Sequence, residues 1–247
     1  EAKIGVLILT NFAKNMLESR GESLKGKKCT VSGSGNVSIY TIEKLYHLGA
    51  LPITCSDSSG MILDEEGIDL ELLKDLKENQ RARLTEYVKY RKNAKYIPVS
   101  DYPKGRNAVW SVPCFAAFPS ATQNELNLED AKELIKNGCV CVSEGANMPS
   151  TNEAVDFFVA QKIAYGPGKA ANAGGVATSQ LEMAQNASMV SWTFEEVDAK
   201  LEKIMKHIFD TASATAKEFG EPTNLVLGAN IAGFRRVADA MIEQGIV

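Results

Sequence analysis

The stretch CTVSGSGNVSIYTIEKL, residues 29–45, constrains the fold most strongly. It opens on a short apolar run that predicts a buried strand and continues into residues 37–48, where apolar side chains recur at helical spacing. Gly33 and Gly35 lie between the two and permit a tight turn. A strand that runs directly into a helix is the building unit of parallel α/β sheets, so this stretch predicts an α/β fold.

The same alternation continues along the chain. Further strands are predicted at LPITCSD, KYIPV, AVWSVPCFAAF, CVCVSEG and KIAYGPG, and helices over residues 4–19, 69–92, 128–137 and 151–161. This order predicts a Rossmann-like, doubly wound and mostly parallel sheet with helices on both faces. From about residue 176 the chain reads as C-terminal helices over 176–189, 194–219 and 230–245, the last of them starting after NLVLGAN.

Charge and composition exclude several classes of protein. The formal net charge of −4 gives no basic surplus that would indicate a nucleic-acid partner, and no apolar run approaches the roughly 20 residues that span a bilayer. The five cysteines are odd in number and lack the spacing of a disulfide framework or a zinc site. We interpret them as structural thiols in a reducing compartment, and we expect a cytoplasmic protein without a metal.

The glycine turn has the features of a phosphate site. A dinucleotide-binding turn needs three small residues, and Gly33, Gly35 and Ser38 occupy those positions. The N terminus of the following helix offers free N–H groups and a positive dipole end. Asp57 ends the next predicted strand 22 residues after Gly35, where an acidic residue usually meets the adenosine ribose. The alternative is a strand–helix turn without a ligand.

The residues around Asp57 bear on the choice of dinucleotide. An acidic side chain alone favours NAD, because it repels a 2′-phosphate. Ser58 and the nearby cations Lys77, Arg81 and Arg83 favour NADP, although by periodicity alone a solvated helix face is the better explanation for any one of these cations. Both dinucleotides therefore stay open at this point.

Three more polar stretches follow predicted strands: PSATQNE (119–125), SEGANMPST (143–151) and GPGKAANAGGVATS (166–179). Open α/β sheets bind ligands where the carboxyl ends of parallel strands meet. Turns and helix caps use the same residue types, but three such stretches in succession favour a site. His47 and His207 are predicted on helix surfaces or packing faces, and no conventional catalytic set is recognised.

Seven blocks together carry a resemblance to a known family. VSGSGNV, SDSSG, ATQNEL, EGANMPST, GKAANAGGVATS, LEMAQN and GANIAGFRRVADAMIEQG resemble the hexameric glutamate dehydrogenases, most closely the NADP-linked members, from about residue 26 onward. The resemblance implies the coenzyme-binding domain of an enzyme that converts L-glutamate, NADP⁺ and water to 2-oxoglutarate, ammonia and NADPH. It implies NADP(H) as the cofactor, with NAD possible. The opening EAKIG departs from the family, which has a threonine near the nicotinamide there.

The resemblance also implies roles for individual residues. The pyrophosphate turn comprises Ser32, Gly33, Ser34, Gly35, Asn36 and Val37, and the adenosine end comprises Asp57, Ser58, Lys77 and Arg83. The nicotinamide half comprises Ala121, Thr122, Gln123, Gly145, Ala146, Asn147 and Asn172. Val176 and Ser179 are implied to touch the glutamate side chain. No catalytic residue is assigned, because the family's catalytic groups lie in an N-terminal domain that this sequence does not match.

These implications define expectations for the chain as a whole. We expect a dinucleotide-binding domain over residues 1–190 and a helical segment over 191–247 that packs on it or on the absent substrate domain. We expect the chain to bind a dinucleotide without turnover, and to be a monomer or weak dimer although the family is hexameric. The alternatives are a non-catalytic or redesigned Rossmann domain, and the coenzyme domain of a leucine, valine or phenylalanine dehydrogenase.

Overall fold

A computed structural model describes residues 8–245 of the chain. The strands are β1 (Lys28–Val31), β2 (Leu51–Pro52), β3 (Thr54–Asp57), β4 (Gly60–Leu63), β5 (Lys95–Pro98), β6 (Ala116–Phe118), β7 (Cys141–Ser143) and β8 (Ala164–Gly166). The helices are α1 (Ile8–Glu18), α2 (Asn36–His47), α3 (Leu70–Lys74), α4 (Tyr87–Tyr90), α5 (Leu128–Lys136), α6 (Asn152–Ala160), α7 (Gly168–Ala171), α8 (Ala173–Ser188), α9 (Phe194–Glu218) and α10 (Leu225–Gln244).

Five parallel strands form the central sheet in the order β2-β1-β6-β7-β8. The carboxyl ends of β1, β6, β7 and β8 therefore meet at one edge, and the turns and loops that follow them lie side by side. The expected Rossmann-like, mostly parallel architecture is confirmed. The opening EAKIG, where the sequence departs from the family, lies outside the described residues.

The sheet has an apolar layer on each face. Successive residues of β6 alternate between the two layers, since Phe118 packs into one cluster and Ala117 into the other. The first layer includes Phe12 of α1 and Ile42 of α2, both fully buried. The second includes Trp110, and side chains of α5 and α6 complete it. Helices therefore cover both faces, as the alternating pattern predicts.

All five cysteines are buried free thiols, which confirms their interpretation as small core residues. Burial raises the pKa of Cys141 to about 12, so its thiolate is strongly disfavoured at neutral pH.

A second, antiparallel sheet was not expected. β3, β4 and β5 pair in that order beside the parallel sheet, and β4 has no counterpart among the predicted strands. Asp57 pairs with Gly60, so Ser58 and Ser59 form the two-residue connection of a hairpin. A side chain at Gly60 would press against the Ile97 backbone, which explains why glycine opens β4. The KYIPV strand therefore exists, but in this sheet.

The single long helix predicted over residues 69–92 is wrong. Helix α3 runs into a π-helical turn at Asp75–Asn79, Arg81 adopts a left-handed backbone, and only a 3₁₀ turn at Leu84–Glu86 and the short α4 follow. The Asp75 carboxylate accepts hydrogen bonds from the side chains of Asn79 (2.8 Å) and Gln80 (2.7 Å). These local bonds stabilise the break despite the regular leucine spacing.

Two other boundaries differ from the sequence prediction. Within AVWSVPCFAAF only Ala116–Phe118 is a strand, because Ala108–Ser111 forms a 3₁₀ turn capped by Asn107. The last helix begins at Leu225 rather than at residue 230. Asn224 caps it by accepting a hydrogen bond from the Leu227 N–H (3.0 Å), so its first apolar residues are helical rather than extended.

The C-terminal helices pack on the sheet-bearing part of the chain. Phe209 of α9 meets Phe12 of α1 edge to face, with ring centroids 5.7 Å apart. Helix α10 crosses α9 closely at Gly228, where a side chain would overlap the backbone carbonyl of Ala212. No helix among residues 8–245 is both long and apolar enough to cross a membrane. The domain boundary expected at residue 190 stays a prediction.

A buried ion pair anchors the segment between β4 and β5. The Asp64 carboxylate is fully buried and accepts hydrogen bonds from Tyr87 Oη (3.0 Å) and Arg91 Nε (3.0 Å), while Arg91 Nη2 lies 2.9 Å away. The pair ties the end of β4 to α4. It thereby fixes the segment that carries Lys77 and Arg83.

We predict that Arg91→Met lowers the free energy of unfolding by roughly 3 kcal/mol, because it leaves the Asp64 carboxylate buried without its cation. Urea denaturation measures the loss, and Lys92→Met, an exposed neighbouring cation, serves as the control. Adding Asp64→Asn to Arg91→Met should restore part of the stability. Equal losses in Arg91→Met and Lys92→Met would contradict the prediction.

Candidate functional site

The turn after β1 is built around two glycines with different roles. Gly33 has φ +83°, and a side chain there would overlap Ser38 Oγ and lie 3.2 Å from the Ala121 Cα. Gly33 is therefore required by both backbone and packing. Gly35 is the N-cap of α2 with φ −86°, and a Cβ there would meet nothing within 4 Å. Glycine at position 35 therefore leaves open space at the N terminus of α2.

The N terminus of α2 faces that space. No side chain among the described residues caps this end of the helix. Its first N–H groups and the positive end of the helix dipole are therefore available to an anion. This is the arrangement that a pyrophosphate requires.

Serine side chains hold the turn in place. Gly33 N donates to Ser56 Oγ (2.8 Å), and Ser120 N donates to Ser32 Oγ (2.8 Å). The fully buried Ser38 donates its hydroxyl to Ser32 O (2.7 Å). Ser38 therefore serves at the third fingerprint position, where its small hydroxyl adds a hydrogen bond between α2 and the turn.

A cavity of about 550 Å³, here called the loop cavity, opens beside this turn. Most of its lining comes from the loops that follow β6, β7 and β8. The predicted site residues that line it are Val37, Ala121, Thr122, Gln123, Gly145, Ala146, Asn147 and Asn172. The structure thus brings the predicted nicotinamide half together at one edge of the sheet.

Three residues of the loop cavity were missed from the sequence. Leu9, Ser120 and Gly175 also line it. Leu9 belongs to α1, whose apolar spacing signals only core packing, and Gly175 lies within the first turns of α8. The turn residues Ser32, Gly33, Ser34, Gly35 and Asn36 border the cavity region without lining it.

The predicted adenosine-end residues form a separate cluster at the end of β3. Arg83 Nη1 donates to Ser58 Oγ (2.7 Å), and both side chains are exposed. Lys77 Nζ donates to Ala82 O (3.1 Å), within the irregular turn that replaces the predicted helix. The cluster presents a hydroxyl and two cations at the position where an adenosine ribose would end.

Both oxygens of the Asp57 carboxylate already accept hydrogen bonds within the chain. One carboxylate oxygen accepts hydrogen bonds from Ser59 N (2.8 Å) and Ser59 Oγ (2.6 Å), and the other accepts one from Leu84 N (3.1 Å). Burial opposes ionisation of Asp57, but these hydrogen bonds outweigh it and hold its pKa below the usual value. Through Leu84, Asp57 places the adjacent Arg83 next to Ser58.

The two predicted substrate contacts lie on α8. Val176 is 66% exposed and lines a second cavity of about 710 Å³, which shares Asn147 and Asn172 with the loop cavity. Ser179 is also exposed and donates its hydroxyl to Gly175 O (3.3 Å). Ser179 lines neither of these two cavities.

Glu125 supports the loop after β6 and was not assigned a role from the sequence. Its Oε1 accepts hydrogen bonds from Ala121 N (2.9 Å) and Thr122 N (3.3 Å), two residues of the loop cavity. Burial raises the pKa of Glu125 to about 7, although those hydrogen bonds favour the charged form. A half-buried carboxyl with a raised pKa thus fixes part of the cavity wall.

Comparison with known proteins decides the family. Residues 5–245 match the family described as Glutamate/Leucine/Phenylalanine/Valine dehydrogenase. The chain belongs to this dehydrogenase family. The resemblance drawn from the seven sequence blocks is thereby confirmed.

Individual dehydrogenases match nearly the whole of this chain. The chain is 66% identical over 235 residues to an NADP-specific glutamate dehydrogenase of Helicobacter pylori strain J99, covering 95% of this chain and 52% of that protein. It is 51% identical to an NAD(P)-specific glutamate dehydrogenase of Xylanibacter ruminicola, with shares of 95% and 52%. The chain therefore spans about half the length of the curated relatives it matches.

Solved structures agree with the fold. A crystal structure of Plasmodium falciparum glutamate dehydrogenase superposes with a TM-score of 0.92 at 45% identity, covering 100% of this chain and 52% of that one. A hetero-hexameric glutamate dehydrogenase from Thermus thermophilus shares the fold, with a TM-score of 0.83 at 20% identity over 100% and 54% of the two chains.

We predict that Glu125→Gln flattens the pH dependence of stability. The folded chain keeps a proton on Glu125 up to about pH 7, whereas the unfolded chain releases it near pH 4.5, so wild-type stability falls as pH rises between those values. Gln keeps the acceptor oxygen and stays neutral. Its free energy of unfolding should exceed the wild-type value at pH 8 by roughly 1–3 kcal/mol and approach it at pH 4.

Urea denaturation at a series of pH values measures this difference. Asp130, whose pKa burial raises to about 6, is present in both proteins, so its own titration largely cancels in the comparison, and its charge contributes to the raised pKa of Glu125. Glu129→Gln, an exposed neighbour on α5, is the control. Parallel curves for wild type and Glu125→Gln would refute the assignment.

Proposed function

We propose that this chain is the coenzyme-binding part of an NADP-dependent glutamate dehydrogenase. The observation that carries the proposal is the cluster at the end of β3, where Arg83 donates to Ser58 and both oxygens of the Asp57 carboxylate accept hydrogen bonds within the chain. A 2′-phosphate placed there would gain charge-assisted bonds. The name of the H. pylori relative, an NADP-specific enzyme, supports the same choice. Because another relative is named NAD(P)-specific, NAD is kept as a second candidate ligand of this chain.

The residues of the chain fit a dinucleotide along its length. The pyrophosphate would lie on the uncapped N terminus of α2, where Gly35 leaves room. The nicotinamide half would occupy the loop cavity, against Thr122, Asn147 and Asn172. The bound nicotinamide supplies hydride transfer to and from the substrate. The chain's own part is to hold that ring and orient it toward the open side of the cavity.

Glutamate is the proposed substrate of the whole enzyme. The family also includes leucine, phenylalanine and valine dehydrogenases, but relatives that are 66% and 52% identical to this chain are named glutamate dehydrogenases. In this proposal Val176 and Ser179 contact the substrate from α8, and the rest of its site belongs to the remainder of the enzyme. The division into residues 1–190 and 191–247 and the hexameric assembly of the whole enzyme are predictions from the resemblance, and the cytoplasmic location is a prediction from the cysteines.

We predict that the chain binds NADPH more tightly than NADH in a fluorescence titration. The double variant Lys77→Ala, Arg83→Ala should weaken NADPH by at least about tenfold and change NADH little, because charge-assisted bonds contribute roughly 1.5–3 kcal/mol each. The double variant Lys89→Ala, Lys92→Ala removes the same charge from exposed neighbours and is the control. Equal wild-type affinities, or equal losses for both dinucleotides, would exclude the 2′-phosphate assignment.

We also predict that these 247 residues alone show no glutamate-dependent reduction of NADP⁺. Hydride transfer requires the nicotinamide and the substrate Cα at near-attack distance, and about half the length of the relatives lies outside this chain. Absorbance at the NADPH band measures the rate, with the full-length H. pylori relative as positive control. Clear turnover would place the catalytic groups within these residues.

A further inference from the structure

Glu144 is an unusual carboxyl group at the end of β7. It is 4% exposed, and no lysine or arginine between residues 8 and 245 forms an ion pair with it. Its Oε1 is buried without a close hydrogen-bond partner in the described part of the chain, although burial and the neighbouring Glu144 carboxylate together raise the pKa of Tyr165. Burying a carboxylate without a cation costs stability, so stability alone does not account for an acidic residue here.

The other oxygen of Glu144 connects two loops. Oε2 accepts a hydrogen bond from Gly168 N (2.7 Å), and the Glu144 backbone N–H donates to Gly166 O (3.1 Å). Side chain and backbone together fasten the end of β7 to the turn after β8. This turn leads through α7 to Asn172.

Two further hydrogen bonds, both made by Asn172, complete the connection between the loops after β7 and β8. Asn172 Nδ2 donates to Ala146 O (3.1 Å), and Asn172 N donates to Gly168 O (2.7 Å). Glu144, Gly168, Asn172 and Ala146 thus form a closed ring of contacts between the two loops. The ring holds Asn147 and Asn172, which line both cavities, at a fixed separation.

The glycine at position 168 fits this tight contact. A Cβ there would lie 3.2 Å from Glu144 Oε2, which is closer than side chains usually approach, and 3.4 Å from Ala146 O. A larger side chain at position 168 would therefore push against the Glu144 carboxylate.

We propose that Glu144 is a positioning residue for the nicotinamide end of the site, holding the Asn147 and Asn172 loops together through its bond to Gly168. The proposal rests on the proposed dinucleotide function. Glu144 acts through the two loops and lines only the second cavity. Its effect should therefore reach the nicotinamide half and spare the adenosine half, which is built on β1, β3 and the turn at Arg83.

A comparison of two ligands distinguishes binding at the nicotinamide half from binding at the adenosine half. NADPH requires the whole site, whereas 2′,5′-ADP carries only the adenosine and its phosphates. Glu144→Ala should weaken NADPH by at least about tenfold and leave 2′,5′-ADP within about twofold, as measured by calorimetric titration. Glu144→Gln retains an acceptor oxygen for Gly168 N and should keep most of the NADPH affinity. Glu153→Ala, an exposed acidic residue at the start of α6, is the matched control.

Gly168→Ala provides an independent variant with a small change in volume. Its methyl group would press on Glu144 Oε2 and separate the loops, so it should also weaken NADPH and spare 2′,5′-ADP. In the double variant with Glu144→Ala the losses should be less than additive, because both substitutions break the same contact. Additive losses would show two unrelated effects and overturn the proposal.

The outcomes are distinct from those of the proposed function. Equal weakening of NADPH and 2′,5′-ADP in Glu144→Ala and Gly168→Ala would mean general unfolding of the site and overturn the positioning role, as would unchanged NADPH binding. If the wild-type chain binds neither NADPH nor 2′,5′-ADP, that result would instead refute the proposed function, and the positioning role with it.

Discussion

The lack of room at Gly33 is the constraint on which the site depends. The backbone there is left-handed, and the neighbouring Ser38 and Ala121 leave no space for a side chain. This close approach joins the turn after β1 to the loop after β6. Because the two parallel strands lie side by side, the same contact aligns the helix N terminus of α2 with the loop cavity.

The hydrogen bonds around the site are mostly short links between neighbouring loops. Ser32, Ser38 and Ser56 brace the glycine turn, Glu125 braces the loop after β6, and Glu144 braces the loops after β7 and β8. A preorganised site of this kind spends less conformational entropy when a ligand binds. The Glu144 carboxyl is buried without an ion pair in the described part of the chain, which opposes folding, so we interpret the site as rigid at some cost to stability.

The sequence predicted those features that depend on local patterns. Strand–helix alternation predicted the parallel sheet, and the polar loops after its strands predicted a site where they converge, while the resemblance alone assigned Asn147 and Asn172 to it. The break within residues 69–92 was missed, since leucine spacing gives no sign of the bonds from Asp75 to Asn79 and Gln80. Buried carboxyls such as Glu144 were missed for a related reason: a single polar residue in a loop pattern does not reveal its burial.

The engagement of Asp57 limits how cofactor preference can change over evolution. In many dinucleotide-binding folds the acidic residue after the second strand binds the ribose and selects NAD. Here the same carboxylate connects the β3–β4 hairpin to Leu84 through hydrogen bonds from Ser59 N and Leu84 N. Replacing it would disturb the loop that carries Arg83 before it altered any ligand contact. In the proposed binding mode, a lineage that exchanges one dinucleotide for the other therefore has an easier route through Ser58 and Arg83, with Asp57 left in place.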